Sequence, residues 1–249
     1  MKISIITVCF NSEATIKKTI QSVSSQTYGN IEYIIVDGSS KDTTLEIIKK
    51  HEHNITKWIS EPDKGLYDAM NKGIQLASGD LVGVLNSDDI FIDNNVLENI
   101  AKFHLENDID ASVGNVFYCN KAGKYVRKYS AKNWHPDKLK IGFMPAHPSI
   151  FFKRDLFEKY GNYHLDFISG ADYELIIRFF LRNKITWEFS NITTTSMLIG
   201  GISSSGYKSY KLISIEIKKA LELNNIQFSY FIVLLRVIWK MKGFLNKKY

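Results

Sequence analysis

Cysteine, proline and long apolar runs are all scarce in this chain, and each scarcity closes off a class of explanation. Of 249 residues only Cys9 and Cys119 are cysteine. They lie far apart and match neither zinc-ligand spacing nor a disulfide framework, so both read as small packing residues of a reducing compartment. With four prolines and no repeat or low-complexity tract, the chain shows no linker that would separate freely moving domains. No uninterrupted apolar run reaches the roughly 18 residues of a membrane span. The opening stretch, Met1 to Val8, is too short before Asn11 for a signal-peptide core and reads as a first strand, so a cytoplasmic protein is expected.

What is present is ordinary in amount and uneven in place. Apolar residues make up 45% and charged residues 23%, as in a soluble globular protein with a substantial core. The net charge is +6. Residues 201–249 hold nine Lys or Arg against Glu216 and Glu222, a net of +7, which leaves 23 basic and 24 acidic side chains in residues 1–200. A near-neutral body with a basic tail suggests an anionic surface as partner. Nucleic acid is disfavoured, because the neutral body offers no basic channel and the tail's aromatics are not spread as stacking platforms.

Hydrophobic periodicity predicts strands at 3–10, 31–36, 55–59 and 81–85. These alternate with helices at about 13–26, 42–50, 63–77 and 94–107, with Ser12 placed to cap the first. Such alternation predicts an α/β fold with a mainly parallel sheet and ligand-binding loops at the carboxyl ends of its strands. After Asp110 the pattern changes to a hairpin (111–118 with 124–129), a loop through Phe143 to Pro148, a strand at 149–152 and a helix over 172–183. Residues 1–110 read as a nucleotide-binding half, 111–205 as an acceptor half, and 206–249 as a basic amphipathic tail.

Several clusters carry candidate chemistry. Asn86-Ser87-Asp88-Asp89 follows the apolar run Leu81 to Leu85, and carboxylates where a buried strand emerges suit Mg²⁺ or Mn²⁺ carrying phosphate. A helix-capping turn is the plainer alternative, although adjacent carboxylates repel. Asp37 ends the second strand at Asp37-Gly38-Ser39-Ser40, where it suits either recognition of a base or ribose, or a turn. Asp172, after Ser169-Gly170-Ala171, suits a general base or an N-cap. His147, between Pro145 and Pro148, contacts substrate or anchors its loop. The loop from Gly200 to Gly206, with Gly201 and Ser203, suits either a flap that folds over a diphosphate or an ordinary linker. Phe228 to Met241 is very apolar and reads either as an interfacial helix or as one docked on the core.

Together these segments resemble family 2 glycosyltransferases with the nucleotide-sugar-binding GT-A fold, in particular enzymes of capsule, O-antigen and colanic-acid assembly. The resemblance covers about residues 1–205. It rests on Ser4 to Asn11, Asp37 to Thr43, Ser60 to Gly73, Leu85 to Asp89, Met144 to Ser149, Ala171 to Leu175 and Gly200 to Ser203, in that order and spacing. It implies that Thr7, Phe10 and Asn11 line the nucleotide pocket and that Asp37 recognises the base. Asp63 and Lys64 would sit near the nucleotide or its diphosphate. The metal motif maps onto Asn86, Ser87, Asp88 and Asp89, with Asp88 as direct ligand and Asp89 in support. Asp172 matches the catalytic base of an inverting transfer to an acceptor hydroxyl. One departure stands out: Asn86 occupies the motif's first acidic position. The donor expected is a UDP-sugar, although guanosine diphosphate donors occur near this subgroup. The acceptor expected is a polyprenyl-diphosphate-linked glycan at the inner membrane face. A sugar-nucleotide pyrophosphorylase would carry a glycine-rich loop where this chain reads Val8-Cys9-Phe10-Asn11. A catalytically inactive carbohydrate-binding scaffold would not need Asp37, Asp88 and Asp172 together.

Overall fold

The computed structural model describes residues 1–120, 122–199 and 206–227, the side chains of 206–210 excepted. Its first half follows the expected alternation. β1 (Ile3–Cys9), β2 (Ile31–Asp37), β3 (Lys57–Ser60) and β4 (Leu81–Val84) are joined by α1 (Ile16–Ser24), α2 (Thr44–Lys50) and α3 (Leu66–Leu76). These strands pair in parallel in the order β3-β2-β1-β4. Every residue of β1 is buried, and alternate side chains feed two cores. Ile6 and Val8 join Met70 and Ile74 of α3, while Ile3 and Ile5 join Ile16 and Ile20 of α1. Burial on both faces is why these strands read as continuous apolar runs. Gly73 lets α3 approach closely, since a Cβ there would lie 2.4 Å from Ile6 Cγ2.

The second half mixes directions. It comprises β5 (Ile90–Phe91), α4 (Val96–Glu106), β6 (Ala111–Cys119), β7 (Tyr125–Tyr129), β8 (Ile150–Lys153), α5 (Asp155–Tyr160), α6 (Ala171–Ile176), β9 (Trp187–Leu198) and α7 (Gly206–Leu223). β8 lies antiparallel between β4 and β6. β9 runs parallel to β6, and β5 pairs antiparallel with β9 at the sheet's edge. The expected hairpin is present as β6 and β7. The expected helix 172–183 is α6 continued by a π-helical stretch, Ile177–Arg182.

Beyond β5 and β9, which the sequence reading does not anticipate, two details depart from it. Ser12 does not cap α1 with its side chain; its hydroxyl bonds Ser87 Oγ at 2.8 Å instead, tying two loops together. Residues 206–223, placed with the tail from sequence, form α7, whose Ile217, Ala220 and Leu221 are buried in the same core as Ile6 and Val8. Residues 228–249, which hold the whole apolar tail segment, lie outside the described residues. No helix among the described residues is long and apolar enough to cross a membrane.

Two buried titratable groups stabilise the fold in different pH ranges. At the amino ends of the strands, Glu32 is 1% exposed and accepts hydrogen bonds from Ser4 Oγ (2.7 Å), Ser78 N (2.6 Å), Ser78 Oγ (2.8 Å), Lys2 Nζ (3.1 Å) and Lys57 Nζ (3.0 Å). Burial alone would raise its carboxyl, but the bonds from Ser4, Ser78 and Lys57 outweigh burial and hold it well below the usual 4.5. Its contribution is present above pH 4.5 and is lost on further acidification. His104 of α4 is 5% exposed, and neither ring nitrogen has a hydrogen-bond partner among the described residues. Burial, aided by the charge of Lys153, pushes its imidazole from 6.5 down to about 4. The folded value lies below the unfolded one, so this contribution is complete above pH 6.5 and is lost as pH falls toward 4. By pH 5 the loss from this one group is about 2 kcal/mol. Urea unfolding at pH 7 and pH 5 is expected to show that loss in the wild type and not in His104→Phe. Equal losses in both proteins would remove His104 as the cause.

Candidate active site

β1, β2 and β4 end together, and the chain reverses between β1 and β4 to leave a crevice at their carboxyl ends, the usual ligand position in such sheets. The loops that follow are strapped to one another. Asn11, at a positive φ of 49°, donates its N–H to Ser40 Oγ (2.8 Å) and accepts from Lys41 N on Oδ1 (2.8 Å). Ser12 N reaches Thr44 Oγ1 at 2.7 Å, and Glu13 accepts from Thr43 N at 3.0 Å. Thr19 of α1 donates to the carbonyls of Ser87 (2.9 Å) and Asp89 (2.8 Å), fixing the third loop. The backbone of the crevice is thereby held before any ligand enters.

Within this frame the predicted nucleotide residues divide into supports and lining. Thr7 is buried, and its hydroxyl accepts a bond from Tyr33 OH at 3.2 Å. Asp37 is also buried. Its carboxylate accepts from Ser40 N (3.1 Å), the Ser40 hydroxyl, Ser60 Oγ (2.6 Å) and Cys9 Sγ (3.6 Å). Asp37 thus orders the loops after β2 and β3. Burial, with the Asp37 charge beside it, pushes the Cys9 thiol far above its ordinary value, so Cys9 is inert. Phe10 is 62% exposed and forms an open aromatic wall. Against it stands Asp63: a Cβ at Gly38 would lie 2.4 Å from Asp63 Oδ2 and 3.5 Å from Phe10 Cδ2. Asp63 Oδ1 accepts from Gly65 N at 2.8 Å, which sets the carboxylate's orientation. Lys64 is exposed beside it. The carboxylate beside Phe10 is therefore that of Asp63, admitted because residue 38 is glycine.

The Asn86–Asp89 turn also divides. Asp88 is exposed, and partial loss of water raises its carboxyl. Asp89 is buried, and burial together with the Asp88 charge raises its carboxyl well above the ordinary value. It accepts from Asn86 Nδ2 (3.3 Å) and from the Leu198 N–H, so it anchors the end of β9. Asn86 Oδ1 is buried without a hydrogen-bond partner, an orphaned oxygen in the crevice. Ser87 is half-buried. Among the described residues no three His, Cys, Asp or Glu side chains converge on one point. One open carboxylate and one unpaired amide oxygen nevertheless fit a hard divalent cation that completes its shell with phosphate and water. Gly201 and Ser203 lie outside the described residues.

Asp172 begins α6, two residues after the helix N-cap Gly170. Its Oδ1 accepts from its neighbour Tyr173 N (2.8 Å) and from Tyr67 OH (3.2 Å). Oδ2 has no hydrogen-bond partner among the described residues. Tyr67 stacks on Tyr163 with ring centroids 5.7 Å apart, and the Tyr163 hydroxyl meets His147 Nε2 at 2.7 Å. Asn71 grips the Tyr163 backbone at both N–H (2.9 Å) and carbonyl (2.8 Å). His147 is buried, and burial lowers its pKa despite the opposing Asp172 charge. It therefore buttresses this stack as a neutral ring.

The sequence reading passed over two supports. Glu216 of α7 accepts from Ile168 N (2.6 Å) and Ser169 N (3.0 Å), just before Asp172. Asn224 donates to Glu174 at 3.0 Å, just after it, and Glu174 pairs with Arg178 at 2.8 Å. The available signal was that Glu216 is one of only two acids in a strongly basic segment.

Residues 4–167 match the family described as glycosyl transferase family 2. An uncharacterized glycosyltransferase of Mycobacterium tuberculosis is 35% identical over 179 residues, 71% of this chain and 68% of that protein. A PGL/p-HBAD biosynthesis glycosyltransferase of Mycobacterium bovis is 29% identical over 207 residues, 81% and 79% of the two chains. Among solved structures, S. aureus TarS in complex with UDP-GlcNAc superposes with a TM-score of 0.67 at 21% identity. That match covers 87% of this chain but 66% of TarS, just under two thirds. The mannosyltransferase PcManGT of Pyrobaculum calidifontis, in complex with GDP-Man and Mn²⁺, gives 0.63 at 14% identity over 99% of this chain and 81% of that one. These two structures share the GT-A architecture. With its fold, its crevice and its sequence in agreement, the chain belongs to glycosyl transferase family 2 and is a glycosyltransferase.

Proposed function

We propose that the protein transfers a sugar, with inversion, from a UDP-sugar to a hydroxyl of a growing, lipid-linked surface glycan. The observation that carries this reading is the half-occupied carboxylate of Asp172, with Oδ1 held by Tyr67 and Tyr173 and Oδ2 open. A carboxylate so held presents one oxygen to an incoming proton. The α3 segment supports the assignment further. Asp63, three residues before it, faces Phe10, and Tyr67, in its first turn, holds Asp172. One turn of chain therefore links the nucleotide pocket to the base.

In the proposed reaction the acceptor oxygen attacks the anomeric carbon while its proton passes to Asp172 Oδ2. The bond from that carbon to the diphosphate breaks on the opposite face, and the nucleoside diphosphate departs. Phe10 packs on the base, and Asp63 Oδ2 accepts its N–H, while Asp37 acts from behind by ordering the loop. Asp88, with Asn86 Oδ1, would hold Mn²⁺ or Mg²⁺. When bound, that cation supplies charge stabilisation for the departing diphosphate, and Lys64 adds to it. Gly201 and Ser203 are assigned to the diphosphate side from the sequence pattern. The basic residues beyond 200 support a peripheral location at the inner membrane face, beside a polyprenyl-diphosphate-linked acceptor.

Calorimetry with UDP and GDP, with and without Mn²⁺, tests the donor site. UDP is expected to bind more tightly with Mn²⁺, and Asp88→Ala to abolish the metal dependence. Asp63→Asn is expected to weaken UDP by about 10- to 100-fold, the worth of one hydrogen bond to a charged group. Undiminished binding by Asp63→Asn would remove Asp63 from the pocket. Turnover tests the base. Asp172→Asn is expected to lower kcat by about 10²- to 10⁴-fold with UDP affinity unchanged. Tyr67→Phe is expected to lower kcat by about tenfold, the worth of one hydrogen bond, again without weakening UDP. Wild-type turnover by Asp172→Asn would sink the mechanism.

A further inference from the structure

The near-zero net charge of the body conceals one strongly one-sided segment. Residues 111–136 contain Lys121, Lys124, Arg127, Lys128 and Lys132 and no Asp or Glu. The described residues among them form the β6–β7 hairpin and the chain just beyond it. Elsewhere basic side chains are commonly matched, as Lys2 and Lys57 are by Glu32, Lys72 by Glu61, Lys153 by Asp108 and Arg154 by Glu158. Lys124, Arg127, Lys128 and Lys132 are exposed, and none pairs with a carboxylate among the described residues. Two of them are instead laid on aromatic rings: Arg127 Cζ lies 4.9 Å from the Tyr118 ring centre and Lys128 Nζ 5.8 Å from that of Phe117. Between these cations the hairpin exposes Tyr125 (54%) and Val126 (49%).

We infer that the β6–β7 hairpin is a membrane-docking surface that binds anionic lipid headgroups. Unneutralised Lys and Arg beside an exposed tyrosine and an exposed aliphatic residue match the charge and polarity of a lipid–water boundary. The position suits the proposed chemistry. β6 pairs with β9 through Cys119↔Leu198, and the Leu198 N–H is bonded to Asp89 of the candidate metal turn. Docking there would bring the crevice to the surface from which a lipid-linked acceptor is presented. The inference deepens the peripheral membrane placement proposed above and assigns it to the folded body as well as to the basic tail. The plainer role for such residues is to keep the edge strand β7 from pairing with other chains.

Sedimentation with vesicles of phosphatidylglycerol and phosphatidylcholine, against phosphatidylcholine alone, separates these roles. Three full-length proteins are compared: wild type, the hairpin variant Lys124→Gln/Arg127→Gln/Lys128→Gln, and the tail variant Arg236→Gln/Lys240→Gln. The wild type is expected to bind the anionic vesicles selectively and to lose binding with added salt. The hairpin variant is expected to bind them about a hundredfold more weakly, at about fivefold per basic residue removed. UDP binding and thermal unfolding of the same samples are expected to match wild type, so a failed donor site is read separately from a failed docking surface. Vesicle binding by the hairpin variant equal to wild type overturns the inference, whether or not the tail variant has lost it. So does self-association of the hairpin variant with undiminished vesicle binding, which would establish edge protection. Equal competition by soluble polyphosphate at matched charge, with no gain from a bilayer, would also overturn it in favour of a soluble polyanion.

Discussion

A carboxylate with no exposed surface is tolerated only where hydrogen bonds replace the water it has lost, and in this fold Asp37 imposes that demand on its surroundings. Two serines and a thiol meet it, from the loop after β2 and from the ends of β3 and β1. Gathering these donors fixes where three strands release their chains. The geometry of the crevice follows: Asn11 is clipped to Ser40 and Lys41, and Gly38 is turned toward Asp63. Asp37 is therefore fixed in place by the loops that it orders.

The same division of labour recurs at each acidic position. Asp89 is buried and holds β9, leaving Asp88 open to solvent. Glu174 and Glu216 are buried and hold the backbone on either side of Asp172. In each case a buried carboxylate that accepts hydrogen bonds from the protein stands beside a more open one. Buried groups stiffen the site because breaking their bonds would strand a polar atom, and that rigidity orients the exposed neighbour.

Much of the fold was legible because its signals are local. The four strands of the first half are buried on both faces, so their apolar runs stand out, and α3 shows its stripe through Met70 and Ile74. β9 was missed because it is rich in Ser, Thr and Asn and gains its place only from pairing with β6 along its length. α7 was assigned to the tail because its charge resembles the tail's, whereas three of its residues complete the core. The basic hairpin vanished from view when charge was summed over 200 residues, since acids far away in space cancelled it on paper.

The order and spacing of short motifs, read from the sequence alone, determined the family, the α/β class and the acidic residues worth weighing. Those properties depend on residue identity and local periodicity, which the chain carries directly. Only the tertiary structure decided which of these acids is enclosed by protein donors and which is left more open. Asp37 and Asp63, Asp88 and Asp89 are each alike in chemistry. They differ in burial and in the donors that distant segments bring to them: Ser60 to Asp37, Leu198 to Asp89, and Tyr67 to Asp172. Such contacts join residues 23 to 109 positions apart, and no local pattern in the sequence encodes them.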